Sequence, residues 1–171
     1  KITRKASTRI ARTAFALAAQ RRRKITVVHK ANVFRVSDGL FLEAVRAVRD
    51  EFPDFEYEEQ IVDAMAALLI RDPAQFDVIV TTNMYGDILS DEASEIAGSL
   101  GMAASLNAGE HFAMAQAQHG SAPSLAGQDI ANPSSLIGSA AMLLRWIAKR
   151  HDAPHFVLAA KAIESAISTA V

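Results

Sequence analysis

The most informative part of the sequence runs Phe76-Asp-Val-Ile-Val80 and then, after two threonines, Asn83-Met-Tyr-Gly-Asp-Ile-Leu-Ser-Asp91. The first segment is rich in β-branched residues and predicts a buried strand, and the start of the second predicts a turn. Ile25-Thr-Val-Val28 predicts another buried strand, and Phe55–Glu59 predicts a solvated edge strand. Strands that alternate with helices in this order are typical of an α/β sheet.

Helices are predicted where apolar residues recur at spacings of three and four. They are expected at Ser7–Arg23, from Ser37 or Asp38 (as the cap) to Val48, at Val62–Ile70, Ile88–Ser99, Ser134–Arg150 and Ala153–Ala170. A short strand is expected at Phe112–Ala117, and a turn-rich loop from His119 to Pro133. The composition becomes rich in Ala and Gly beyond Gly98, which predicts two lobes, residues 1–98 and 99–171.

Charge is distributed unevenly along the chain. The formal net charge is -1, yet residues 1–24 contain nine lysines and arginines and no acid. Such a start can indicate a targeting peptide or a nucleic-acid arm. An amphipathic helix over residues 7–23 explains it better, with Arg21, Arg22 and Arg23 at the helix C-terminus, where cations favour the macrodipole. We therefore expect no nucleic-acid partner.

Composition excludes cysteine chemistry and gives no signal for a membrane-spanning segment. The chain has no cysteine, which rules out disulfides, thiolate metal sites and thiol nucleophiles. It also has no run of about 18 apolar residues, so no membrane partner is expected.

Asp87 and Asp91 are four residues apart near a predicted helix start, so their side chains share one helix face. Two neighbouring carboxylates favour a hard cation such as Mg²⁺ or Mn²⁺. Alternatively, acids in a first helical turn stabilise the helix N-terminus and bind nothing. Their spacing alone leaves both interpretations open.

Three further features are candidates. Asp63 lies in the apolar segment Ile61–Met65, where an acid is costly unless paired, so it is a candidate ligand or helix cap. Lys30 follows a buried strand, either as a catalytic ammonium or as a residue that ends the strand. The small residues of His119-Gly-Ser-Ala-Pro123 and Ala131-Asn-Pro133 allow a phosphate or ribose to approach the backbone. This loop is no G-x-G-x-x-G fingerprint, so a conventional Rossmann site is not predicted.

Together these blocks resemble the isocitrate and 3-isopropylmalate dehydrogenases, the metal-dependent β-decarboxylating dehydrogenases. The resemblance rests on Asn83–Asp91 continuing through Gly98–Met102, on the two loop motifs after His119, and on His29-Lys-Ala-Asn32. It implies an α/β, two-lobed fold that is not a conventional Rossmann fold, and a partial subunit, the C-terminal half. It also implies oxidative decarboxylation of a 2-hydroxy acid bearing a 3-carboxylate, with hydride transfer to NAD(P) and Mg²⁺ or Mn²⁺ bound.

The same resemblance implies roles for individual residues. Asp87 and Asp91 resemble metal ligands, and Asp63 resembles a catalytic aspartate that the partner subunit adds to the same metal. Lys30 resembles a catalytic lysine that reaches across a homodimer or higher oligomer, and Asn32 an asparagine that binds substrate. The expected cofactor-binding residues are His119, Gly120, Ser121, Ala122, Pro123 and Asn132.

Finer expectations follow from individual positions. NAD is favoured over NADP because Ser124 and Leu125 offer no cation to a 2′-phosphate. His29 and Asp38–Phe41 favour isocitrate or a close homologue, before 3-isopropylmalate and then tartrate or malate. The alternative is a non-catalytic regulatory subunit of the same family, which Gln116 and Ser124 leave open. We expect a cytoplasmic protein, or a mitochondrial matrix protein in a eukaryote.

Overall fold

The computed structural model describes residues 1–170 and divides into two units, Lys1–Ala93 and a second unit from Ser94 onward. The elements of the first are α1 (Arg4–Ala18), β1 (Lys24–His29), α2 (Ser37–Arg49), β2 (Glu56–Ile61), α3 (Val62–Arg71), β3 (Val78–Thr81) and α4 (Asn83–Ile96), which runs past the division. Those of the second are β4 (Ala104–Ala108), β5 (Ala113–Ala117), α5 (Ser134–His151) and α6 (His155–Ala170).

The first unit is built on a parallel sheet with the strand order β2-β1-β3. The predicted α/β pattern is thereby confirmed, and β2 is an edge strand as expected. Because all three strands run the same way, the residues that follow His29, Ile61 and Thr81 emerge at one edge of the sheet. We call this the carboxyl edge.

Side chains of β1 alternate between two apolar layers. Ile25 and Val27 pack with α1 and α2, in a cluster that includes Phe15 and Phe41. Val28 packs instead with residues of α3 and α4. Every residue from Ile25 to Val28 is fully buried, so the sheet is covered on both faces and held firmly in place.

The Asn83–Asp87 segment is helical, so the predicted turn is wrong. The Gly86 N–H donates to the Thr82 carbonyl at 2.9 Å, as in the first turn of a helix. Tyr85 and Leu89 are buried against α3, and their four-residue spacing requires a helix from the start of this segment. Asp87 therefore lies beyond the first turn of α4, and no acid occupies that turn.

The basic start of the chain folds differently from the prediction. Helix α1 ends at Ala18 with no basic residue in its last turn, so the macrodipole interpretation is wrong. The reason is the buried side chain of Asp77, which accepts from Arg21 Nε at 2.7 Å and from the Arg22 N–H at 3.0 Å. Other ion pairs join Arg4 to Glu43, Arg12 to Glu51 and Lys24 to Glu56.

Burial raises the pKa of the Asp77 carboxyl, but the hydrogen bonds from Arg21 and Arg22 outweigh this effect and hold the pKa below its usual range. Asp77 is therefore an anion at neutral pH, and it fixes the chain between α1 and β1. Arg21 and Arg22 therefore serve the fold of their own unit.

The second unit is an antiparallel pair, β4 and β5, packed against α5, which also packs on α6. Sequence patterning missed β4, because its alanine-rich segment lacks β-branched residues. The buried hydroxyl of Ser139 donates to the Gln116 carbonyl at 2.7 Å and accepts from the Ser105 N–H at 2.9 Å. In the part of the chain that is described, no helix has the length and apolar character needed to cross a bilayer.

Candidate functional site

Lys30 and Asp63 meet at the carboxyl edge. Lys30 directly follows β1, and Asp63 lies in the first turn of α3, directly after β2. Since β1 and β2 are adjacent and parallel, their ends bring the two side chains together. Lys30 Nζ donates a short hydrogen bond to Asp63 Oδ1.

The Lys30 hydrogen bond, and then a bond from the backbone N–H of Asp63 itself, lower the pKa of the Asp63 carboxyl. Asp63 is not the helix cap, which is Ile61, and 69% of its side chain is exposed. Because it is exposed, Asp63 avoids the free-energy cost of burial that the apolar residues around it in the sequence predict. Asp63 is therefore ionised and exposed, which leaves it accessible to a cation.

Asp87 and Asp91 lie on the exposed side of α4, opposite its buried Tyr85 and Leu89. The four-residue spacing stacks them one turn apart. Because neither lies in the first turn, dipole stabilisation does not account for them. Their carboxylate oxygens are the kind of ligand atom that Mg²⁺ and Mn²⁺ prefer. Within the described residues, however, no three His, Cys, Asp or Glu side chains converge as a metal-binding group.

Asn32 lies in the tight turn that follows Lys30, and its side chain is exposed. In this turn the Lys30 carbonyl accepts from the N–H groups of Val33 and Phe34 at 2.9 and 2.8 Å. His29 Nδ1 accepts from the Ala31 N–H at 3.1 Å, which also constrains the turn. Asn32 is thus presented beside Lys30 on a short, ordered loop.

The predicted cofactor residues lie in the second unit, around one pocket of about 690 Å³. Those that line it are His119, Gly120, Ser121, Ala122 and Asn132. Pro123 is not among the lining residues. It begins a single 3₁₀ turn, Pro123–Leu125, which follows Ala122 in the chain and whose last residue, Leu125, lines the pocket. A cavity of this size fits a nucleotide-sized ligand.

The pocket is shaped largely by backbone. Ala122 has φ of 39°, a left-handed conformation that is uncommon for a residue with a side chain. A Cβ on Gly101 would lie 3.1 Å from the Cβ of Asn132, so only glycine fits without displacing its neighbour. Asn132 Oδ1 accepts from the Ser134 N–H at 2.9 Å. The NH₂ group of the Asn132 side chain is then the part of its amide that can donate hydrogen bonds.

Sequence reasoning missed two acids. Asp38 was expected as a possible helix cap, but the cap is Val36, and Asp38 is buried with its carboxylate accepting from the Lys30 N–H at 2.7 Å. The available signal was an acid at the head of the apolar stripe Phe41, Leu42 and Val45. Asp129, which lines the pocket, was missed because loop residues carry no periodic pattern.

The family described as isocitrate/isopropylmalate dehydrogenase matches residues 1–171, and the chain belongs to that family. The 3-isopropylmalate dehydrogenase of Sulfurisphaera tokodaii is 49% identical over 166 residues, 97% of this chain and 49% of that protein. The homoisocitrate dehydrogenase of Methanocaldococcus jannaschii is 50% identical over 150 residues, 87% of this chain and 43% of that protein.

Among solved structures, the isocitrate dehydrogenase of Methylococcus capsulatus matches with a TM-score of 0.88 and 45% identity, over 98% of this chain and 48% of that one. The family and fold class expected from the sequence are confirmed. The chain spans about half the length of the curated relatives it matches. Relatives named for different substrates are almost equally similar to it, so overall identity does not select a substrate.

Proposed function

We propose that this chain is part of a dehydrogenase that oxidises a 2-hydroxy acid bearing a 3-carboxylate, with loss of CO₂ and hydride transfer to a nicotinamide dinucleotide. The observation that carries the proposal is the Lys30–Asp63 pair at the carboxyl edge of a chain of this family. Asp87 and Asp91 follow the third strand of the same sheet on α4. A regulatory subunit without catalysis would have no need for this set of charged residues.

Asp87 and Asp91 would hold Mg²⁺ or Mn²⁺, with Asp63 of a second copy of the chain as a further ligand. A bound divalent cation would polarise the substrate hydroxyl and the keto oxygen formed from it. Lys30 Nζ would take up the hydroxyl proton once its own ammonium has released a proton to solvent, and Asp63 would orient it. Asn32, on the same loop, contacts the substrate.

A shared active site is supported by the distribution of charges. Lys30 and Asp63 are paired with each other, whereas Asp87 and Asp91 acquire no third acidic ligand in the described part of one chain. We therefore propose a homodimer or larger oligomer. In it, the Lys30–Asp63 pair of one subunit completes the carboxylate pair of the other.

The arrangement can be tested by mixing two inactive variants, Lys30→Met and Asp87→Asn, in the native polypeptide that contains this chain. A mixed dimer then has one doubly altered site and one wild-type site, so random mixing restores about a quarter of the wild-type activity. Sites built from one chain alone would recover nothing. Each variant mixed with itself is the control.

NAD is the proposed cofactor. Among the described lining residues of the pocket, Asp129 is an acid and none is a lysine or arginine. The 2′-phosphate of NADP would therefore meet a carboxylate without a compensating cation. Because a carbonyl oxygen only accepts, His119 Nδ1 donates to the Gly120 carbonyl at 2.8 Å, and Nε2 is then the acceptor that a ligand could use.

The decisive assay measures turnover of the native polypeptide with Mn²⁺, NAD and each candidate acid. We propose isocitrate or a close homologue first, then 3-isopropylmalate, then tartrate or malate. A correctly folded protein that turns over none of them would contradict the proposed function. A cytoplasmic location, or the matrix in a eukaryote, stays a prediction.

A further inference from the structure

The loop that carries Lys30 is closed at one end by its own backbone. The Lys30 carbonyl accepts two N–H groups of the loop, and the Phe34 carbonyl accepts from the Asp38 N–H at 3.0 Å. These bonds leave the N–H of Lys30 itself without a partner inside the loop. It donates to Asp38 Oδ2 at 2.7 Å.

Asp38 occupies a place where an apolar residue would pack best. It heads the buried stripe of α2, with Phe41, Leu42 and Val45, and it is only 4% exposed. A buried carboxylate is costly unless hydrogen bonds satisfy it. Its second oxygen accepts from Ser37 Oγ at 3.2 Å. Asp38 lies in the first turn of α2 without capping it, and the backbone group outside α2 that its carboxylate satisfies is the N–H of Lys30.

We propose that Asp38 is a positioning residue that fixes the Lys30 loop by accepting a hydrogen bond from the backbone N–H of Lys30. It acts through Lys30 and not on the substrate itself. This inference rests on the proposed function, because Lys30 takes its catalytic role from it.

The test compares Asp38→Ala with Asp50→Ala in the native polypeptide. Asp50 lies at the other end of α2 and is exposed, so it is a matched control. Amide hydrogen exchange of residues 30–34 reports on the loop directly. We expect Asp38→Ala to accelerate exchange at the Lys30 N–H about tenfold or more, and Asp50→Ala to leave it unchanged.

Steady-state kinetics supply a second measurement. Asp38→Ala should lower kcat about tenfold or more while the KM for the hydroxy acid changes by less than about threefold, since Lys30 is misplaced but the substrate contacts remain. Asp38→Asn keeps an oxygen that accepts from the Lys30 N–H, so it should restore most of both properties.

Unchanged exchange in a folded Asp38→Ala protein would overturn the proposal, whatever its turnover. Faster exchange with a wild-type kcat would overturn it too, because loop order would then not matter to the reaction. Failure of the proposed function is distinguishable from both outcomes. It would show as a wild-type protein without turnover, before any variant is made.

Discussion

At the carboxyl edge of the parallel sheet, charged side chains form the proposed catalytic site, whereas the pocket of the second unit is shaped by backbone and small residues. Lys30 and Asp63 form an ion pair, and the anchor behind Lys30 is a buried carboxylate. The pocket instead depends on the left-handed Ala122 and the closely packed Gly101. The first site should therefore be sensitive to changes of charge, and the second to changes of volume.

The largest effect is expected from the acids of α4. Asp87→Asn or Asp91→Asn preserves side-chain shape but removes the anionic oxygens that a divalent cation needs, so kcat/KM with Mn²⁺ should fall about 100- to 1000-fold. Chelation of the metal with EDTA should abolish turnover, and added Mn²⁺ should restore it. Asp50→Asn, on α2, serves as the control. Equal activity of Asp87→Asn and wild type would refute the metal assignment.

Asp77→Asn should have the next largest effect, on stability. Its buried carboxylate holds two arginines, so we expect a loss of about 1–3 kcal/mol at pH 7, measured by urea unfolding. The folded pKa lies below the unfolded one, so this stabilisation is present above about pH 4 and is lost as the pH falls further. The variant should approach wild-type stability in acid. A pH-independent difference would argue against an ionised Asp77.

Gly101→Ala tests the sensitivity of the pocket to volume. The new methyl group would press on Asn132 and Ser99, at 3.1 and 3.3 Å, so the KM for NAD should rise about tenfold while the KM for the hydroxy acid stays constant. Gly109→Ala is the matched control in the same unit, where the nearest atom is the Phe112 oxygen at 3.4 Å. Similar KM values for NAD in the two variants would exclude close packing at Gly101 as the cause.

The smallest effect is expected for the ion pair between α5 and α6. Arg145 binds both carboxylate oxygens of Glu164, but each side chain is about two-fifths exposed. Glu164→Gln should therefore cost less than about 1 kcal/mol, and the cost should shrink further in 1 M salt. A loss as large as that of Asp77→Asn would show that exposure does not govern the strength of these pairs.

Strands with a strong β-branched signal were predictable from sequence. The buried segment Ile25–Val28 and the apolar part of Phe76–Val80 both lie largely within strands of the sheet. The errors arose where tertiary contacts override local preference. Asn83–Asp87 has the composition of a turn, but burial of Tyr85 makes it helical.

The candidate site likewise has residues that local motifs indicate and contacts that depend on the tertiary fold. Motifs indicated Lys30, Asp63, Asp87 and Asp91, and parallel pairing of β1 and β2 explains why the first two meet. No local pattern could give the bond from Lys30 to Asp38, since it depends on the path of the loop. The pocket around Ala122 likewise depends on backbone angles that an alanine does not signal.

The position of β1 between its two partners has a consequence for folding. Thr26 bonds to a residue 32 positions further along the chain, and Val28 to one 53 positions further. The most buried strand is thus synthesised well before either of its neighbours, and its apolar segment stays unpaired until β3 follows. We expect Arg21, Arg22 and Arg23 before this strand, and Lys24 at its start, to act as gatekeepers, because their charge opposes premature association between nascent chains.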